Sequence, residues 1–126
     1  MKDKYIDILL KLARRAYRKN EVPVSAVLVW NNKVISKAYN KKNLLNNPMM
    51  HAEIICLNKA YKKLKRWNLN DCILYVTLEP CPMCAGALAW SQIGKVVYGA
   101  SDPKRGFSLF SPSLMHPKTE IVSGVM

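Results

Sequence analysis

The sequence predicts a single three-layer α/β domain. Three observations lead there. The chain has 126 residues and half of them are apolar, enough for one compact core and too few for two. Strand-like and helix-like patterns alternate from residue 33 onward, the order of helices laid against a sheet. The run 73–78 is apolar on both faces, as in a central strand covered from both sides. No internal repeat, low-complexity tract or linker interrupts the pattern.

The elements follow in order. Over residues 4–19, Ile6, Leu9, Leu10, Ala13, Ala16 and Tyr17 recur at helical spacing, with Lys11, Arg14, Arg15 and Arg18 on the other side. Residues 22–30 read as a strand through Val24, Ala26, Val27, Leu28 and Val29, and Asn31-Asn32 as a turn into a second strand over 33–39. A polar loop over 40–48 leads to a helix that starts near His51. Its apolar face carries Ile54, Leu57, Tyr61 and Leu64, opposite Lys59, Lys62, Lys63 and Arg66. Residues 82–91 form a helix with Pro82 suited to its first turn. Residues 95–99 and 120–122 supply two further short strands.

Twenty Lys and Arg face eight Asp and Glu, a net charge of +12. Such a surface attracts polyanions, and nucleic acid is the usual one for a soluble chain of this size. The start Met1-Lys2-Asp3-Lys4-Tyr5 runs into a charged amphipathic segment, not the apolar core of a signal peptide. No apolar run reaches the roughly 20 residues of a membrane helix. A cytoplasmic location is therefore expected, where Cys-x-x-Cys more often serves metal or redox chemistry than disulfides.

Two short motifs carry the chemistry: His51-Ala52-Glu53 and Pro80-Cys81-Pro82-Met83-Cys84, each opening a predicted helix. Cys81 and Cys84 stand three residues apart, so one helical turn brings both sulfurs to one side. The positive end of the helix dipole favours their thiolates, the ligating species. With His51 they make a Cys₂His set that leaves one of zinc's four positions open, which marks a catalytic ion. Residues two apart on a helix point about 200° from each other, so Glu53 sits beside the metal and not on it. From there it can take a proton from water and pass it to a substrate nitrogen. Taken singly, the same residues have plainer readings. His51 is then a capping residue, Glu53 a first-turn acid, and the cysteines a redox pair or half of a structural zinc knuckle. Cys56 and Cys72 read as core residues and His116 as a surface one.

The two motifs together are similar to the known signature of zinc nucleobase deaminases. Glu21-Val22-Pro23-Val24, the His51 triplet, the stretch 74–87 and Ile93-Gly94-Lys95-Val96-Val97-Tyr98-Gly99-Ala100 resemble the bacterial tRNA-specific adenosine deaminases over about residues 5–124. That resemblance implies a cytidine deaminase-like α/β/α sandwich with a five-stranded mixed sheet, and a homodimer. It also implies hydrolysis of the wobble adenosine of a tRNA anticodon to inosine. Residue by residue, His51, Cys81 and Cys84 match the family's zinc ligands and Glu53 its proton shuttle. Asn40 matches an Asn that hydrogen-bonds the flipped base, and Asp102 a residue near the target nucleotide; both types are also common turn formers.

Three departures stand out. Ser25 occupies a position usually held by Gly, Met49-Met50 precedes His51 where small or polar residues are usual, and the chain ends at Met126 where the family continues into a further C-terminal helix. Residues 1–126 are thus expected to form one zinc-dependent deaminase domain without that helix. Two other readings stay open: a deaminase of a free base or nucleotide of the guanine, cytosine or cytidylate type, and a non-catalytic zinc-containing nucleic-acid-binding module.

Overall fold

The structure, a computed structural model, describes residues 3–124. Its elements are α1 (Asp3–Arg18), β1 (Ser25–Trp30), β2 (Lys33–Tyr39), α2 (Ala52–Leu64), β3 (Cys72–Leu78), α3 (Pro82–Ser91), β4 (Lys95–Ala100), a 3-10 turn (Phe107–Leu109) and β5 (Glu120–Val122). The sheet is five-stranded and mixed, in the order β2-β1-β3-β4-β5. β1 runs antiparallel to β2 and β3, while β4 is parallel to both β3 and β5. The hairpin closes on Asn31 and Asn32, with φ of 53° and 59°, the left-handed pair that two-residue turns require and Asn tolerates. One irregularity follows, where Leu28 faces Ser36 but Val29 faces Val34, leaving Ile35 as an extra bulge residue.

The two-residue period of the strands sorts the core into two halves. Val27 and Val29 of β1, Tyr75 of β3 and Val97 of β4 meet Tyr5, Leu9, Leu12 and Ala16 of α1. Ala26, Leu28, Leu74, Val76 and Val96 point the other way, against α2 and α3. These are the three predicted layers.

Several details differ from the sequence reading. α1 buries the stripe Tyr5, Leu9, Leu12 and Ala16, while Leu10 and Tyr17 stay exposed. Both stripes are helical in period, and the sheet surface selects the narrower one. α2 buries Ala52, Glu53, Cys56, Leu57 and Ala60, so small residues let it approach the sheet and Ile54 lies at the margin. The first strand begins at Ser25, not at residue 22, because Pro23 has no N–H to donate to a ladder. Arg66 leaves the basic face of α2: it lies beyond the helix, paired with Asp71 at 2.7 Å and stacked toward Trp30.

Ser25 is fully buried, and its Oγ donates to the Leu9 carbonyl of α1 at 2.6 Å. A hydroxyl therefore takes the usual place of glycine without an unsatisfied polar group, and it ties β1 to α1 by a bond worth about 1 kcal/mol. Tyr39, Leu78 and Ala100 end β2, β3 and β4 at one edge of the sheet, since Ser25 pairs with Tyr39, Ala26 with Val76 and Leu78 with Ala100. The loops that leave this edge build the site.

Candidate active site

α2 and α3 both begin at that edge, and their cap positions hold the chemistry. His51 caps α2 in extended conformation, φ −73° and ψ 154°, but its side chain makes no capping bond. Asn40 does that work from the preceding loop, its Oδ1 accepting the Ala52 N–H at 2.6 Å. The imidazole is thereby released to turn inward. Cys81 caps α3 in the same way, at φ −73° and ψ 170°, with Pro82 in the first helical turn and no side-chain capping bond. Cys84 follows one turn later, on the same side.

His51 Nδ1 lies 3.6 Å from Cys81 Sγ and 3.5 Å from Cys84 Sγ, and the three donor atoms all fall within 4.8 Å of one another. Zinc bonded to sulfur at about 2.3 Å and to nitrogen at about 2.0–2.1 Å in a tetrahedron puts S and N about 3.6 Å apart. The donor set and its spacing therefore fit a zinc ion. A shared hydrogen bond from Cys84, and then the one from His51, draw the Cys81 thiol down to about 4 despite its partial burial. Cys84 moves up, since it gives the proton in that bond and is buried. The bond to Cys81 raises His51.

Glu53, in the first turn of α2, is 3% exposed, and its Oε1 has no hydrogen-bond partner. An orphaned buried carboxyl oxygen costs free energy and is most readily understood as a group waiting for a ligand. Burial pushes this carboxyl up to about 7. It opens on a cleft of about 260 Å³ whose walls include Asn40, His51, Glu53, Cys81 and Asp102. Cys84 lies behind them, fully buried. All six residues singled out by the sequence thus meet at one place. The volume is near the lower end for small-molecule sites and suits one base, not a duplex.

Asp102 also forms the turn that its type foretold. Its Oδ1 accepts the Lys104 and Arg105 N–H groups, both at 3.0 Å. Met49 and Met50 do not line the cleft, so this departure does not alter its walls. Cys56 and Cys72 are core residues, their thiols pushed up to about 12 mainly by burial. His116 is half-buried, and its Nδ1 accepts the Lys118 N–H at 3.1 Å.

Two cleft residues escape the sequence reading. Glu21 is 5% exposed and accepts the N–H groups of Asn43 and Leu44 at 3.0 and 2.6 Å. Glu79 is 3% exposed and accepts those of Asp102 and Ser108 at 3.1 and 2.8 Å. Gly106 packs so closely on the Glu79 carboxylate that any Cβ there would collide with it. The available signal for Glu79 was its setting, a lone acid between an apolar strand and the cysteine motif. Glu21 opens one of the stretches that carry the family resemblance, but nothing in its neighbours marked it as a cleft residue.

The chain matches a family model described as MafB19-like deaminase over residues 1–125. It is 43% identical to a tRNA-specific adenosine deaminase of Bacillus subtilis, over 97% of this chain and 79% of that one. A tRNA-specific adenosine deaminase of Rickettsia bellii is 46% identical over 92% of this chain and 85% of its own. A solved structure from biochemical and structural studies of A-to-I editing by tRNA:A34 deaminases superposes with a TM-score of 0.90, at 37% identity, over 97% of this chain and 98% of the other. A guanine deaminase structure from Bacillus subtilis is similar at TM-score 0.76 and 34% identity, over 80% of this chain and 65% of that one.

Proposed function

For a chain that belongs to the MafB19-like deaminase family, alongside the tRNA-specific adenosine deaminases, we propose hydrolytic deamination of a tRNA wobble adenosine to inosine. The single observation that carries this reading is the buried, unpartnered Glu53 Oε1 beside the His51, Cys81 and Cys84 donors. It is a proton carrier and a metal site in one cleft of base size.

We assign His51 Nδ1 and the sulfurs of Cys81 and Cys84 as ligands of one zinc ion per chain. When bound, zinc supplies the Lewis acidity that makes water a nucleophile near neutral pH. Glu53 Oε1 takes the proton that water loses and hands it to adenine N1 as C6 is attacked. The carboxylate then takes the second proton, from the hydroxyl now on C6, and passes it to the amine; the C6–N bond breaks, ammonia leaves, and a carbonyl oxygen stands in its place with the net charge of the base unchanged. Asn40 has committed Oδ1 to Ala52, so its NH₂ is the end that donates to an acceptor on the base. Asp102 stands at the cleft wall next to the target nucleotide. A wobble base is already in a loop and leaves its stack at lower cost than one in a duplex.

The proposal extends to the setting. The reaction takes place in the cytoplasm, where its tRNA substrate resides; among the described residues no helix is long and apolar enough to cross a membrane. The chain acts as a single deaminase domain and pairs with a second copy. Support for pairing comes from α3, which is apolar on its outer side too: Trp90 is 85% exposed there and lines a groove of about 630 Å³ with Trp67, more apolar surface than a lone helix usually shows to water.

The guanine deaminase relative keeps a free-base reading in play, but a net charge of +12 does little for a small neutral base. The test is to offer an anticodon stem-loop with a wobble adenosine beside free guanine, cytosine and adenosine. Inosine should form in the RNA alone. Turnover of a free base, with the RNA left intact, would replace this reading with the other.

A further inference from the structure

The two glutamates that the sequence reading missed have no part in the chemistry above, yet each is buried in the wall of the same cleft. Both do one thing: a carboxylate accepts two backbone N–H groups of a loop at the rim. Glu21 holds the loop after β2 through Asn43 and Leu44. Glu79 holds the loop after β4 through Asp102 and Ser108. These loops leave the same edge of the sheet from strands three positions apart, about 14 Å across. They therefore stand on either side of the cleft.

Each loop carries an exposed cation into the lining of the cleft, Lys42 on one side and Arg105 on the other. The links are short. Lys42 directly precedes Asn43, whose N–H is held by Glu21. The Arg105 N–H is held by Asp102, and the Asp102 N–H in turn by Glu79. Among the described residues the only ion pairs are Arg66–Asp71 and Lys95–Glu120, so neither cation is neutralised by a neighbour. The acidic residues in the same lining are Glu21, Glu53, Glu79 and Asp102. Both oxygens of Glu21 and of Glu79 already face backbone N–H groups, as does Asp102 Oδ1.

We propose that Lys42 and Arg105 form a two-sided phosphate clamp that grips the RNA strand on either side of the flipped nucleotide, and that Glu21 and Glu79 are positioning residues that hold its two jaws. The inference rests on the RNA reading given above and names the contacts by which the strand is held. A single strand that turns one base into a small cleft must leave its neighbouring phosphates at the rim. Cations carried on loops whose backbone is already held bind them at a smaller cost of ordering. The loops are fixed from beneath by carboxylates too deeply buried to meet the phosphates themselves.

The test is binding of the anticodon stem-loop across a salt series, read on the 126-residue chain in which Glu53→Ala stops turnover. Each phosphate contact contributes about 0.7–0.9 to the slope of log K against log salt. Lys42→Ala and Arg105→Ala, both surface changes that spare the core, should each flatten the slope by about that amount and weaken binding about tenfold at low salt. Glu79→Gln keeps one acceptor but turns an NH₂ toward the second N–H, so it should flatten the slope as Arg105→Ala does. The double variant Glu79→Gln/Arg105→Ala should be no flatter than either single one. Unchanged slopes in Lys42→Ala and Arg105→Ala overturn the clamp. Losses that add in the double variant overturn the positioning role of Glu79. The unmodified chain is assayed in parallel for inosine. If it forms none, the deaminase reading fails on its own account, and the clamp still stands or falls by the slopes.

Discussion

Replacing Glu53 with Gln should leave zinc bound at the level of the parent chain while kcat for inosine formation falls about 10²–10⁴-fold, the range that general acid–base groups supply. The substitution keeps the shape and volume of the side chain, which matters because Glu53 is almost wholly buried in the first turn of α2. Only the ability to take up and release a proton is removed. Folding should not suffer, since Oε1 has no partner to lose and a neutral amide is easier to bury than a carboxylate. A thermal melt and a metal assay on the same sample separate the outcomes. A variant that loses zinc would make Glu53 a ligand or a structural group. One that keeps full rate would remove it from the mechanism.

Cys84→Ala should act the other way, on the metal first and the rate as a consequence. The Cys84 sulfur is fully buried behind the cleft and lies 3.5 Å from His51 Nδ1. No water can readily take its place as a ligand, and two donors remain where zinc needs three from the protein. Changes in groups that merely orient zinc ligands weaken binding 10–100-fold, so loss of a ligand should weaken it by at least about 100-fold. Titration against a chelator of known affinity measures that loss. Activity should fall to background and return in part at high zinc. By contrast, Cys56→Ala and Cys72→Ala should leave zinc affinity unchanged, because those sulfurs lie in the core and outside the three-donor group.

Much of this arrangement was legible in the sequence, for definite reasons. Asn31-Asn32, Pro82 and the two-sided apolar run at residues 73–78 are local signals, so the hairpin, the start of α3 and the central strand could be read directly. The metal motif was legible for the same reason: the spacing of Cys81 and Cys84 is one helical turn, and His51 opens the other helix. The faces of α1 and α2 were harder. Leu10 and Tyr17 fit the helical period as well as Leu12 and Tyr5 do, and only the sheet decides which are covered. Glu21 and Glu79 were not legible as site residues, because their partners are backbone N–H groups 22 to 29 residues away. A backbone donor leaves no mark on composition. Asn40 shows the same effect. Its hydrogen bond to Ala52, which frees His51 from capping, depends on a loop closing and not on any pattern in the residues.

This cleft is expected to deaminate an RNA adenosine only when its three donors hold zinc. The most direct measurement strips the chain of metal, restores zinc in steps, and follows inosine formed at the wobble position of an anticodon stem-loop. Activity should be absent at the start and rise in proportion to bound zinc, reaching its plateau at about one ion per chain. Inosine formed at full rate by the metal-free chain, or none formed at any zinc content, would contradict that expectation.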